Sequence, residues 1–310
     1  MPAKALAILL PLLTISCSAV HAEAEPIHAE TPMRTTLHAT TVSVPMLSWG
    51  GRPVVEARVN GKGPFKLILD TGTSFPLVLD DALVNTLELP VTATTRPRDE
   101  AEELDVVDVD TLAIGEAEFS SIQGIRSSRA GCASMIGEGI QGILGLPLFK
   151  DCLLTLDFPK RRVRLESGGL PEPDGETIEY SADKEDDYGV TLTLSVGGVP
   201  VKTHIDTGSP ALVTFLNKFQ KKLPLKGKPH VVGVARTPQG EAEVRSAVLD
   251  GIIKLGKHEW VNPRIDFADL GPMLDYDAGN IGSRLLKDFA VTVDQKNHRV
   301  RFRRGESVRD

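Results

Sequence analysis

The chain contains 310 residues, of which 41% are apolar and 25% are charged. These values are typical of one large or two medium-sized globular domains and exclude a wholly disordered chain. The net charge of −7 and the aromatic content of 5% argue against a nucleic-acid partner, which would require a basic face and rings for stacking.

The first residues predict an export signal. A short basic start precedes the apolar run from Ala5 to Ile15, which is too short to span a bilayer, and Val20-His21-Ala22 offers a small-residue cleavage site. We therefore expect residues 1–22 to be a signal peptide and the protein to be periplasmic or secreted. A lipid anchor at Cys17 is a less favoured alternative, because Thr14 stands where such signals usually have Leu. No later stretch predicts a membrane span.

The rest of the chain is predicted to contain two copies of one structural unit. Residues 23–42 are polar and without periodicity, so we expect either a flexible segment or a short pro-segment there, with the flexible segment favoured, and regular structure from about Val44. An N-terminal lobe is expected at residues 43–166 and a C-terminal lobe at residues 188–310. The stretch 167–187 is rich in Gly, Pro and acids, which is the composition of a linker.

Each unit opens with an alternating strand, a glycine turn and an apolar strand that ends at an aspartate. The aspartates begin the matched segments Asp70-Thr71-Gly72-Thr73 and Asp206-Thr207-Gly208-Ser209. Further along lie Gly142-Ile143-Leu144-Gly145 and Gly279-Asn280-Ile281-Gly282. The distance from the aspartate to the last glycine is 75 residues in the first unit and 76 in the second. Shared landmarks at nearly constant spacing indicate an internal duplication.

These paired segments resemble the aspartic peptidase superfamily, which includes pepsin-like and retropepsin-like enzymes. The resemblance covers roughly Val44 to Phe302, and Asn280 departs from it because an apolar residue is usual there. It implies an all-β fold of two lobes, each an acid-protease-like closed barrel, with the active-site cleft between them. It also implies that Gly145 and Gly282 thread beside the aspartate loops in a psi-shaped crossing.

The resemblance implies that Asp70 and Asp206 are the catalytic pair. Two neighbouring carboxyl groups cannot both ionise easily, so they share a proton and can act together as base and acid on one water molecule. Which aspartate is the base stays open. This chemistry requires no metal and no cofactor. The resemblance further implies loop-supporting roles, in which two threonines cross-link the loops, two glycines allow close approach and two hydroxyls support the outer carboxylate oxygens: Thr71, Thr207, Gly72, Gly208, Thr73 and Ser209.

Several other features are weaker candidates. The stretch from Thr95 to Leu104 lacks the glycine-rich flap that the family uses, whereas Arg236 to Gly240 is expected either to form a flap tip or to be an ordinary hairpin. Cys132 and Cys152 either form a disulfide or stay unpaired. Asp105, Asp108 and Asp110 are expected to lie on a half-exposed strand rather than to bind calcium. His204 receives no role.

The sequence thus predicts an aspartic endopeptidase that acts on peptides or proteins, most active at acidic pH. The alternative is a catalytically inactive peptide-binding module of the same fold. We expect a monomer, because both aspartates lie in one chain; pairing of lobes between two molecules is the other arrangement.

Overall fold

The structure is a computed structural model that describes residues 32–95, 103–126, 139–181, 189–237, 240–269 and 279–305. The predicted signal peptide, Cys17 and Cys132 lie outside the described residues. Within these ranges no helix is both long and apolar enough to cross a membrane.

The first half of the chain consists mainly of strands. Its elements are β1 (Arg34–Leu37), β2 (Thr41–Pro45), β3 (Leu47–Trp49), β4 (Arg52–Val59), β5 (Lys62–Asp70), β6 (Leu77–Leu79), α1 (Asp81–Leu87), β7 (Val91–Thr95), β8 (Leu104–Ile114), β9 (Ala117–Arg126), β10 (Gly142–Gly145), a 3-10 helix (Leu146–Phe149), β11 (Leu153–Asp157) and β12 (Arg162–Glu166).

The second half repeats much of this order. Its elements are β13 (Thr177–Glu179), β14 (Thr191–Val196), β15 (Val199–Asp206), β16 (Val213–Phe215), a 3-10 helix (Asn217–Lys221), β17 (Leu225–Thr237), β18 (Gly240–Leu249), β19 (Ile252–Leu255), β20 (His258–Val261), β21 (Arg264–Phe267), β22 (Gly279–Gly282), α2 (Ser283–Leu286), β23 (Phe289–Asp294) and β24 (Arg299–Arg304).

Each half builds one large sheet around its aspartate-bearing strand. The first lobe has the strand order β1-β9-β6-β10-β5-β4-β8-β7, with β3 paired to β4, and the second has β17-β18-β21-β16-β22-β15-β14-β19-β20. The predicted all-β fold of two similar lobes is therefore confirmed. In the first lobe β8 also pairs with β9, but the described strands of the second sheet form an open path. Closure of both lobes into barrels stays a prediction.

A third sheet joins the two lobes. Its order is β13-β24-β23-β11-β12-β2, so three strands come from each half. At its centre β11 runs antiparallel to β23, and the Oγ1 atoms of Thr155 and Thr292 lie 2.9 Å apart. The inward residues of this sheet, such as Leu154 and Val291, belong to a large apolar core that includes residues of both lobes.

Both flanking segments contain short strands that the sequence did not predict. Regular structure begins before Val44, because β1 pairs with β9 and β2 pairs with β12. The expected linker contains β13, which pairs with β24 at the edge of the six-stranded sheet. In both places short strands are stabilised by partners far away in the chain, and this pairing overrides a local composition that is typical of linkers.

The glycine segments cross beside the aspartate strands. Strand β10 runs parallel to β5 with Gly145 opposite Asp70, and β22 runs parallel to β15 with Gly282 opposite Asp206. A Cβ atom at Gly145 would collide with the carbonyl oxygen of Phe75. The backbone at this crossing is therefore too close for any side chain.

We predict that Gly145→Ala lowers the free energy of unfolding by at least about 2 kcal/mol, because the added methyl group must displace backbone. Urea denaturation followed by circular dichroism would measure the loss. Gly233→Ala is the matched control, because a Cβ atom at that position of β17 would meet no other atom. Equal stability of the two variants would contradict a tight crossing.

Candidate active site

The two aspartates stand at the ends of β5 and β15, and the last residues of β5 are covered on both faces. Leu67, Ile68 and Leu69 are fully buried between β4 and β10, which explains the unbroken apolar run before the first triplet. This burial carries over to Asp70, which is only 3% exposed. The strand β15 delivers Asp206, which is partly buried.

Reciprocal hydrogen bonds connect the two aspartate loops. The N–H group of Thr71 donates to Thr207 Oγ1 at 3.0 Å, and the Thr71 hydroxyl donates to the carbonyl oxygen of Ile205 at 2.8 Å. The N–H group of Thr207 donates in return to Thr71 Oγ1 at 3.1 Å, and its hydroxyl donates to Leu69 at 2.7 Å. Both threonines are buried. The loops of the two lobes are therefore fixed relative to each other.

The Asp70 carboxylate contacts both loops. Its Oδ1 atom accepts hydrogen bonds from Gly72 N at 2.8 Å and from Gly208 N of the opposite loop at 3.1 Å, and its Oδ2 atom accepts one from the Thr73 hydroxyl at 2.8 Å. A Cβ atom on Gly208 would collide with this carboxylate, and one on Gly72 would lie 3.1 Å from Asp206 Cγ. Each glycine thus lies against the aspartate of the other lobe, which brings the two carboxylates together.

Asp206 has a different set of partners. Its Oδ1 atom accepts a hydrogen bond from Ser209 N at 2.9 Å, and its Oδ2 atom accepts one from Asn280 Nδ2 at 2.8 Å. We expected the Ser209 hydroxyl to support the outer oxygen, but this hydroxyl accepts a hydrogen bond from Ala211 N at 3.4 Å instead. The amide of Asn280 reaches Oδ2 from the neighbouring strand β22 and takes the place of that hydroxyl.

Burial and like charge perturb this pair. Burial, followed by the negative charge of Asp206, raises the pKa of Asp70 to about 7, and the three donors named above act against this shift. The half-buried Arg52 guanidinium lies near both carboxylates, stacks 5.4 Å from the Trp49 ring centre and donates to the carbonyl oxygen of Gly208. Burial lowers the pKa of Arg52, whereas the charges of Asp206 and Asp70 oppose that effect.

Sequence reasoning missed two residues that connect the lobes at this site and did not explain a third. Arg52 and Ser283 carried no signal, since neither lies in a recognised segment. The Ser283 hydroxyl lies 2.7 Å from the Gly51 carbonyl oxygen and 3.0 Å from that of Ser209. Asn280 was noticed only as a polar residue at a usually apolar position.

The other candidates lie elsewhere or partly outside the described residues. Asp105, Asp108 and Asp110 lie on β8 and are not fully buried, as expected for a half-exposed strand. Cys152 is a free, buried thiol, and burial raises its pKa to about 12. Strands β17 and β18 form the expected hairpin, but its tip lies outside the described residues. Among the described residues no cluster of His, Cys, Asp and Glu could hold a metal ion.

We predict that Thr207→Val lowers the free energy of unfolding by about 2–3 kcal/mol. The variant keeps the shape of the side chain but leaves the buried Leu69 carbonyl and the Thr71 N–H group without partners. Denaturation of the single variants and of the double variant with Thr71→Val would measure the coupling energy between the two threonines. Additive losses would contradict a shared network.

We predict that Asp70→Asn stabilises the protein at about pH 8 but not at about pH 4. The folded-state pKa of about 7 exceeds the ordinary aspartate value of 3.8, so ionisation of Asp70 favours unfolding as the pH rises through this range. The expected gain at high pH is on the order of 4 kcal/mol. Asp110→Asn, at an exposed position of β8, is the control. A gain that did not depend on pH would contradict the assignment.

The comparison with protein families agrees with the geometry. The family model described as aspartyl protease matches the chain twice, at residues 55–148 and 192–285, and each match contains one aspartate loop and one glycine crossing. No curated protein matches the chain. The two segments together cover more than half of the 310 residues, and the chain therefore belongs to the aspartyl protease family.

Proposed function

We propose that this protein is an aspartic endopeptidase in which Asp70 and Asp206 activate one water molecule against a peptide bond. The observation that carries the proposal is the reciprocal hydrogen bonding of Thr71 and Thr207, which fixes the loops that bear Asp70 and Asp206 against each other. Membership of the aspartyl protease family supports a peptidase-like fold. The raised pKa of Asp70 supports a shared proton, because one member of such a pair must stay protonated to act as an acid.

The reaction needs only these two groups and water. The ionised carboxylate removes a proton from water as the water oxygen bonds to the carbonyl carbon. The carbonyl oxygen takes the proton of the other carboxyl group, and a tetrahedral diol results. When the C–N bond breaks, the newly protonated carboxyl group protonates the leaving nitrogen and a diol proton returns to its partner. The products are a carboxylic acid and an amine, and both side chains are restored.

The proposed substrate is a peptide or protein segment that lies between the two lobes. The proposed enzyme acts as a monomer, because both aspartates and all strands of the joining sheet come from one chain. Export to the periplasm or into the medium is proposed from residues 1–22, and extracellular or periplasmic peptides would then be its substrates.

We predict that Asp70→Asn and Asp206→Asn each lower the cleavage rate of a mixed peptide library at least about 10³-fold. Cleavage by the unmodified protein should fall as the pH rises through about 7, because Asp70 then loses the proton that the carbonyl oxygen requires. Mass spectrometry of the library across pH, with and without pepstatin, would measure both effects.

Asp110→Asn is the control for this experiment and should retain full activity, since Asp110 lies on the exposed side of β8. Unchanged cleavage in either aspartate variant would remove that residue from the mechanism. Peptide binding without turnover by the unmodified protein would favour the inactive peptide-binding module instead.

A further inference from the structure

The two lobes differ in the residues that lie beneath their aspartates. In the first lobe, cross-strand neighbours form an apolar row in the order Val54, Ile68, Ile143, Val78, Ile125 and Val106. In the second lobe the matched row is polar throughout: Thr191, His204, Asn280, Thr214, Asp266 and Ser246. Residues that pair across neighbouring strands lie on the same face of a sheet. The matched faces of the two lobes are therefore apolar in the first lobe and polar in the second.

Asn280 is the member of the polar row that bonds to the aspartate. It matches Ile143, which is fully buried in an apolar cluster, and it is itself only 3% exposed. Its Nδ2 atom donates to Asp206 Oδ2 at 2.8 Å, whereas its buried Oδ1 atom has no hydrogen-bond partner in the described part of the chain. An unpaired buried oxygen destabilises a fold, and an apolar residue would avoid this cost. What Asn280 provides, and an apolar residue at this position would not, is the hydrogen bond to Asp206.

The donors around the two aspartates favour different protonation states. The two groups that bond to Asp206, the Ser209 N–H group and the Asn280 Nδ2 amino group, both donate in the observed orientation, so they stabilise the ionised carboxylate. For Asp70 the N–H donors converge on Oδ1, and the partner of Oδ2 is the Thr73 hydroxyl. A hydroxyl can also accept a hydrogen bond, and Asp70 Oδ2 can therefore carry a proton without losing a partner.

The neighbouring charges agree with this difference. Arg52 on β4 lies near both carboxylates, and the charge of Asp206 contributes more than that of Asp70 to raising the pKa of Arg52. Among the described residues, the titratable groups near Asp206 include Asp70, which favours a single negative charge on the pair, and His204 on β15, which lies opposite Asn280. Helix α2 packs against β22, and its Arg284 is exposed to solvent.

We propose that Asn280 decides which aspartate is the base: its amide keeps Asp206 ionised, and the shared proton stays on Asp70 Oδ2. The inference rests on the proposed function. Asp206 then accepts the water proton as the new C–O bond forms, and Asp70 donates its proton to the carbonyl oxygen. When the C–N bond breaks, Asp206 gives its proton to the nitrogen and Asp70 recovers one from the diol. Asn280 touches no reacting atom and acts as a positioning residue.

Carbon NMR of the full chain labelled at aspartate carboxyl groups tests this assignment without requiring catalysis. The variants Asp70→Asn and Asp206→Asn identify the two signals. We expect the Asp206 signal to keep the shift of an ionised carboxylate from about pH 5 to pH 8, while the Asp70 signal moves as the pH passes about 7. A protonated Asp206 beside an ionised Asp70 would overturn the proposal, because Asn280 would then have to present its oxygen.

Asn280→Leu, of similar size, removes one of the two donors to Asp206, so the acid limb of the activity profile should move to higher pH. Asn280→Ile, which copies the matched residue of the first lobe, is the second variant if Asn280→Leu does not fold. Ile143→Asn is the reciprocal variant: an amide there would donate to Asp70, so in a folded variant the Asp70 signal should move at a lower pH. Unchanged titration of both aspartates in a folded Asn280 variant would overturn the proposal.

Absence of any cleavage by the unmodified protein would contradict the proposed function instead, and the NMR assignment would still stand.

Discussion

Two carboxyl groups held beside each other repel when both are ionised, and many contacts of this protein hold the Asp70 and Asp206 loops together. The reciprocal bonds of Thr71 and Thr207 fix the two loops, and the triplet glycines allow each loop to approach the opposite aspartate. The parallel strands β10 and β22 support the loops from beneath. In the proposed mechanism this geometry keeps one proton between the two acids, which is the state in which they activate a water molecule.

The duplication supplies this pair, but the two copies are not equivalent. The Asp70 side is buried, surrounded by apolar residues and supplied with N–H donors from both loops. The Asp206 side is more exposed and lies above a polar row. A symmetric pair would place its proton equally on either acid. Ile143 and Asn280 occupy matching positions in the two lobes, but only Asn280 donates a hydrogen bond to an aspartate. This difference makes the two carboxyl groups inequivalent.

Much of the architecture could be predicted from sequence because its signals are local and occur twice. The hairpins before Asp70 and Asp206 are visible as alternating apolar patterns, and the glycine segments are visible through their constant spacing. The strands β1 and β13 were missed because their partners are distant and their own composition resembles a linker. Arg52 could not be found for the same reason, since its acceptor, Gly208, lies 156 residues away. Asn280 stood out as an anomaly, but only the structure relates its amide to a carboxylate.

The central pairing of β11 with β23 gives the molecule an approximate two-fold axis near Thr155 and Thr292. These strands occupy matching positions in the two halves, and each offers its edge to the other. If the chain were severed between the halves, either fragment would carry an uncovered edge already shaped to receive a strand like its own. Self-association of such a fragment through this edge would place two identical aspartate loops face to face. A single half could therefore form a symmetric dimer.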